Sequence, residues 1–227
     1  MIIFCVLYNQ AFSLRDIASS VILSEGQDLP PESMASESNI EQNLDVQLKL
    51  SKEFIRCVNF AAIKHKDQRR KDEQQTPYVN HVIGVAYILI SEGGVSDLSV
   101  IQAALLHDTL EDTNTTFYEL HAEFGEDVAN LVKELTDDKS LPKLERKRLQ
   151  VVNAAQASYK AKLIKLADKL YNLRDLRRSV PVGWTPERVQ EYFEWAAQVV
   201  SELRGTNAAM EESLEALFAE RGISVSS

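Results

Sequence analysis

From about Asn43 onward, apolar positions recur at three- and four-residue spacing, the period of a helix with one buried face. Leu44, Leu48, Phe54, Ile55, Val58, Ala61 and Ala62 share one broad stripe and predict a first long helix running to about His65. The polar, basic-rich stretch KDQRRKDEQQTP breaks the pattern as a loop that Pro77 ends. A second helix is predicted over about Tyr78–Ser91, stopped by Gly93-Gly94, and a third over about Asp97–Asp112 with Ser96 as its N-cap. Thr116-x-x-Glu119 reads as a capping box for a fourth that Gly125 closes, and a fifth covers about Glu126–Leu135. After TDDKSLP come a charged helix, LERKRLQVVNAA, and a long one from about Ser158 to Arg178. Thr185-Pro186 opens a helix to about Arg204, and Asn207 starts the last, to about Glu220. The sum is an all-α chain of about nine or ten helices.

Residues 1–40 do not fit that pattern. SEGQDLPPESMASESN is polar, acidic and proline-bearing with little to bury, so a disordered extension over 1–40 and a folded domain over 41–227 are expected. Met34 is an alternative start. The opening MIIFCVLY lacks a basic flank and a small-residue cleavage site, and Arg15 is the only basic residue before Lys49, so neither secretion nor a mitochondrial presequence is well supported. No run approaches the ~18 apolar residues of a membrane span. Cys5 and Cys57 make neither a metal spacing nor a disulfide framework, which points to a reducing, cytoplasmic compartment. Eight glycines and six prolines are few for a chain of 227 residues, in keeping with helix over sheet. The net charge of −9 argues against sequence-independent nucleic-acid binding, which runs on phosphate neutralisation by Lys and Arg. An anionic small molecule remains compatible with local basic patches such as RRK at 69–71 and KLERKR at 143–148.

Against this background LLHDTLED, residues 105–112, is out of place. On a continuous helix His107, Asp108, Glu111 and Asp112 fall at roughly 0°, 100°, 40° and 140°, so one imidazole and three carboxylates share a side. Neighbouring carboxylates on a partly buried face repel one another unless something positive sits among them. A divalent cation and a ring of Lys and Arg are both possible; a solvated acidic helix end is the plainer alternative. Two further segments favour the cation. PYVNHVIGVAYILI sets His81 on an apolar helix, where a lone histidine can equally be a satisfied core residue. KLIKLADKLYNLRDL sets Asp168 and Asn172 one turn apart in a leucine pattern, where an ion pair to a lysine such as Lys165 is the alternative. Jointly, His81, His107, Asp108 and Asp168 make a candidate set of two nitrogen and two oxygen ligands, suited to Mn, Fe or Zn rather than Ca.

The H…HD…D order resembles the signature of the HD superfamily of metal-dependent phosphohydrolases. The surrounding text, His65-x-x-Gln68-x-Arg70, Thr76-Pro77-Tyr78-x-x-His81, LLHDTLED, TDDK, LERKRLQ and LADKLYNLRDL, is similar to the hydrolase domain of bacterial RelA/SpoT stringent-response enzymes. GWTPERVQEYFEWAAQVV brings the likeness closer to the stand-alone animal homologues of SpoT, over about residues 43–224.

That resemblance implies a compact HD-type helical bundle that hydrolyses the 3′-diphosphate of guanosine 3′,5′-bis(diphosphate), with no synthetase activity. It implies His81, His107, Asp108 and Asp168 as ligands of one divalent ion, usually Mn²⁺. Glu111 and Asp112 are implied to orient and deprotonate the attacking water. Arg70 is implied to stack on the base, Lys71 to lie near the phosphates and Asn172 at the ribose and phosphate side; Lys143 and Arg188 are candidates for distal phosphates. His65 is read as a loop-holding residue, His121 as a surface residue, Tyr78 as packing, and Trp184, Phe193 and Trp195 as core. The chain departs from the family at Val82, where a proline is common, and at Asp67, where a glycine is usual; Asp67 would put negative charge near the base-binding loop. Alternatives are removal of the 2′-phosphate of NADPH at the same site, another HD phosphohydrolase acting on deoxynucleotides or cyclic nucleotides, and a non-catalytic nucleotide sensor.

Overall fold

A computed structural model describes residues 31–224 of the chain. The described residues form ten α-helices and no strand. They are α1 (Pro31–Lys64), α2 (Val79–Ser91), α3 (Leu98–Leu106), α4 (Thr109–Asp112), α5 (Phe117–Phe124), α6 (Glu126–Leu135), α7 (Lys143–Ala154), α8 (Tyr159–Arg178), α9 (Pro186–Ser201) and α10 (Ala208–Ala219). The chain divides into two units, Met1–Leu48 and Lys49–Ser227. Most of the extension expected over 1–40, including MIIFCVLY and Cys5, lies outside the described residues. The first helix, however, reaches back to Pro31 rather than starting near Asn43. Glu32, Ala35, Glu37, Glu41 and Gln42 are good helix formers, so this stretch can be both polar and helical.

The apolar stripe on α1 is shorter than the spacing suggests. Cys57 and Ala61 are buried, with Phe54 and Val58 packed against the core, whereas Leu44, Leu48 and Ile55 are exposed. The centre of the second unit is α8, which packs against α2, α3, α6, α9 and α10. A helix enclosed on so many sides must be apolar nearly all round, and Leu163, Ile164, Leu166, Leu170, Leu173 and Leu176 are all buried on it. Each fully buried leucine contributes ~1.5–3 kcal/mol. Lys169 is buried on the same helix at a cost of several kcal/mol, which its pairing with Asp168 at 2.9 Å offsets in part.

Caps fall mostly where the sequence puts them. Thr116, Ser158, Thr185 and Asn207 accept from the amides of Glu119, Ala161, Arg188 and Met210, and Pro186 occupies the first turn of α9. Gly125 closes α5 at φ 84°, a conformation that disfavours a side chain. At the start of α3 the cap is Asp97, not Ser96, because the Asp97 carboxylate reaches the Ser99 amide at 2.9 Å. The 66–77 loop is pinned as a narrow hairpin. The amides of Arg70 and Tyr78 donate to Thr76 O at 2.8 Å and Gln68 O at 3.0 Å. Asp72 accepts from the Thr76 amide at 2.9 Å.

Candidate metal centre and nucleotide cavity

The helix expected over about 97–112 is broken after Leu106, and α4 restarts at Thr109. The cause is local. His107 Nδ1–H donates to Ala104 O at 2.7 Å and the Thr109 hydroxyl to Leu106 O at 2.7 Å, taking carbonyls that a continuing helix would use. Asp108 sits at the break with φ −93° and ψ −3°. The roughly 140° fan of a straight helix therefore does not describe these four side chains. His107 and Asp108 turn inward, and Glu111 and Asp112 follow on the single turn of α4.

His107 meets its partners from two other helices. The ligand-type atoms of His81, His107 and Asp108 all lie within 4.8 Å of one another. Asp168, on α8, brings Oδ1 to 3.2 Å from His81 Nε2 and 3.8 Å from His107 Nε2. Asp108 Oδ2 is 3.1 Å from His107 Nε2 and 3.5 Å from His81 Nε2. Tyr78 does more than pack: its hydroxyl donates to Asp108 Oδ2 at 2.6 Å. The second oxygen of Asp168 pairs at 2.9 Å with Lys169, rather than with Lys165, and Asn172 Nδ2 donates to its first at 2.7 Å.

The donor set fits a divalent cation. A carbonyl can only accept, so His107 carries its hydrogen on Nδ1 and turns a lone pair of Nε2 toward the carboxylates. That Nε2 is buried and without a hydrogen-bond partner. A backbone hydrogen bond that fixes the opposite ring nitrogen is the usual support of a metal-binding imidazole. Burial opposes the charged forms of His107, Asp108 and Asp168, but the opposite charges outweigh it. Asp108 and Asp168 lift the His107 pKa well above its ordinary value. His107 and His81 hold Asp108 well below the usual carboxylate range, and Lys169 with the two histidines does the same for Asp168. A pocket that gathers two carboxylates around an imidazole lone pair attracts a cation.

Glu111 and Asp112 differ in their surroundings. Burial, with Asp137, Asp108 and Asp112 nearby, raises the Glu111 pKa. Its contacts are long, 3.4 Å to Arg146 Nη1 and 3.4 Å to the Asp137 amide. Asp112 is held at both oxygens, by Lys139 Nζ at 2.5 Å and Gln68 Nε2 at 2.9 Å.

Two cavities adjoin the cluster and share Tyr78, Asp112, Asn172 and Tyr192 in their walls. One, of about 260 Å³, contains His81, Asp108, Glu111 and Asp168 and is rimmed by Lys143, Arg146, Lys147 and Lys169. The other, of about 410 Å³, is lined by Arg70, Lys71, Asp175, Leu176, Pro181 and Trp184 among others. Arg70 is fixed by Asp175 at 2.7 Å and Asn172 at 3.0 Å, and lies 5.7 Å from the Tyr78 ring centre. Arg188 lines neither cavity and stacks at 4.3 Å on Trp184.

A family description, HD domain, matches residues 57–199. Guanosine-3′,5′-bis(diphosphate) 3′-pyrophosphohydrolase MESH1 of Danio rerio is 64% identical over 170 residues, covering 75% of this chain and 94% of that protein. The human protein of the same name is 61% identical over 173 residues, covering 76% and 97%. The chain belongs to the MESH1 family of HD-domain proteins. A solved structure described as a metazoan ortholog of SpoT that hydrolyzes ppGpp and plays a role in starvation responses superposes with a TM-score of 0.74. It has 57% sequence identity and covers 76% of this chain and 97% of its own.

Of the two departures from the family pattern, Val82 is fully buried in α2 as core, and Asp67, with 89% of its side chain exposed, is not among the residues that line the 410 Å³ cavity. Other positions gain roles that spacing does not reveal. Trp184 and Trp195 are cavity walls as well as packing, whereas Phe193 is core. Lys147 and Lys169 lie 4.6 and 4.9 Å from the Trp195 ring, so an aromatic wall backs two of the cations. Arg146 lies in the basic patch KLERKR without being singled out within it, and Lys169 and Tyr192 lie in LADKLYNLRDL and GWTPERVQEYFEWAAQVV without being assigned a role there.

Gly84 is needed for close approach. A β-carbon there would overlap the Tyr171 ring, which packs 4.9 Å from His81 and 5.9 Å from Arg70. Gly84→Ala is expected to cost about 1–3 kcal/mol by overpacking, several degrees in Tm, and to weaken metal binding through His81. Thermal melts with and without added metal test this; an unchanged melting curve would contradict the close approach.

Proposed function

We propose that this chain hydrolyses guanosine 3′,5′-bis(diphosphate) to pyrophosphate and GDP, and the corresponding pentaphosphate to GTP, at the His81–His107–Asp108–Asp168 cluster. The observation that carries the reading is the junction of two unlike cavities at that cluster. One end offers a metal-ligand set ringed by Lys143, Arg146, Lys147 and Lys169. The other offers Arg70 with aromatic and aliphatic walls, of a size for a nucleoside. An anionic substrate repelled by the chain's net charge of −9 would meet four cations here at the rim of the ligand cluster. The relatives whose names carry this activity match over nearly their whole length.

His81, His107, Asp108 and Asp168 would hold one divalent ion, Mn²⁺ in our reading. That ion supplies Lewis-acid polarisation of a phosphoryl oxygen and a more acidic water. Glu111, with its raised pKa and long contacts, takes a proton from the attacking water, and Asp112, held at both oxygens, orients it. The water oxygen bonds to the phosphorus on the 3′ oxygen, the P–O3′ bond breaks, pyrophosphate leaves and the 3′ oxygen takes up a proton. Arg70 and the walls of the larger cavity receive the base, Asn172 sits at the ribose end, and Lys71, Lys143 and the cations around it meet the phosphates. Arg188 acts through the position of Trp184. The buried free thiol of Cys57 suits a reducing compartment, the cytoplasm.

The test is product identification. Purified protein with Mn²⁺ is given guanosine 3′,5′-bis(diphosphate) and, in parallel, NADPH. Release of pyrophosphate with GDP is expected from the first. Inorganic phosphate from NADPH alone would keep the site and replace the substrate, and turnover of neither would favour a nucleotide sensor.

A further inference from the structure

His65 and Gln68 lie outside the metal cluster, yet they form a hydrogen-bonded line into it. Asp112 Oδ2 can only accept, so the Gln68 group facing it at 2.9 Å is the amide nitrogen. The Gln68 carbonyl oxygen then faces His65 Nδ1 at 2.6 Å, which must carry the hydrogen. The acceptor at one end therefore sets the direction of the whole line: His65 donates to Gln68, and Gln68 donates to Asp112.

The rest of the loop holds this line still. His65 is 1% exposed, its ring lies 5.1 Å from that of Tyr78, and Tyr78 is the residue that donates to Asp108. The Gln68 amide donates to His65 O at 3.0 Å and its carbonyl accepts from the Tyr78 amide at 3.0 Å, so the backbone is fixed on both sides of the side chain. The other holder of Asp112, Lys139, has a half-exposed side chain and its contact is correspondingly screened. The Gln68–Asp112 contact is open to solvent too, but a neutral amide backed by the buried His65 orients without adding charge, and a misplacement of 1 Å in such a site can cost about 10²-fold in rate.

We propose that Gln68 is a positioning residue that aims the Asp112 carboxylate at the reacting water, and that His65 acts one step behind it by fixing which way the Gln68 amide points. The inference rests on the reading above, in which Asp112 orients that water. Gln68 also lines the 410 Å³ cavity, so a direct substrate contact is the competing role.

A double-mutant cycle on guanosine 3′,5′-bis(diphosphate) hydrolysis separates these. Gln68→Met keeps the stem and removes both polar atoms. It is expected to lower kcat by roughly tenfold to 10²-fold, with KM and bound metal little changed. In an Asp112→Asn background, read by single-turnover assays with enzyme in excess, the same change should have almost no further effect, because the carboxylate it aims is gone. His65→Leu should repeat the loss. His65→Asn, whose amide nitrogen can reach the place of Nδ1, should recover most of it, which a loss of folding alone would not predict. Equal fold-losses from Gln68→Met in both backgrounds would overturn the proposal, as would a rise in KM with kcat intact. If Asp112→Asn itself turned over normally, the role assigned to Asp112 would fall and the proposal with it. If Asp112→Asn were slow but Gln68→Met were not, only the proposal would fall.

Discussion

Asp108→Ala is expected to purify without a bound divalent ion and to lose turnover by roughly 10³-fold or more, several kcal/mol of transition-state stabilisation. Asp108 is the one member of the cluster that touches both histidines and Tyr78. Its Oδ2 lies 3.1 Å from His107, 3.5 Å from His81 and 2.6 Å from the Tyr78 hydroxyl. Removing it takes away a ligand and also leaves the Tyr78 hydroxyl without its acceptor. His107→Ala should behave alike, since Nε2 has no partner other than this cluster. Elemental analysis by mass spectrometry on the purified variants, beside steady-state rates, checks both. A variant that kept one equivalent of metal and full activity would remove Asp108 from the ligand set.

Glu111→Gln separates chemistry from metal binding. The side chain keeps its size and hydrogen-bonding reach but cannot take a proton, so kcat should fall by about 10²–10⁴-fold while metal content and KM stay close to wild type. The pH profile gives a second readout. Burial and the nearby Asp137, Asp108 and Asp112 raise the Glu111 pKa, so the group stays protonated, and inactive as a base, to a higher pH than a free glutamate. Activity should therefore decline as pH falls through that raised value, and Glu111→Gln should lack this limb. Normal turnover by Glu111→Gln would end the proton-transfer role.

The ligand residues are legible in the amino-acid sequence because each is a chemically costly choice. His81 and Asp168 interrupt apolar helical stretches, and His107-Asp108 follows a run of buried residues, so each needs a partner of specific kind. The residues around them are hidden because helical periodicity does not distinguish a cavity wall from core. Trp195 falls on the inward side of α9 and reads as packing, although it backs the cations of the smaller cavity. Lys169 follows Asp168 directly, and adjacent helical residues do not ordinarily face each other, so Lys165 is as plausible a partner by spacing. The break at His107–Asp108 depends on two side chains taking backbone carbonyls, an event that no periodicity encodes. The same limit explains α1: its polar first turns form helix, and Leu44 and Leu48 keep the helical spacing of a buried stripe while remaining exposed.

The most direct measurement is a metal titration of chelator-stripped protein, followed in one experiment by bound-ion stoichiometry and pyrophosphate release from guanosine 3′,5′-bis(diphosphate). One divalent ion per chain, with activity rising in step with its binding and Mn²⁺ effective, is the predicted result. Stripped protein that hydrolysed the nucleotide at full rate would contradict a catalytic metal in the His81–His107–Asp108–Asp168 cluster.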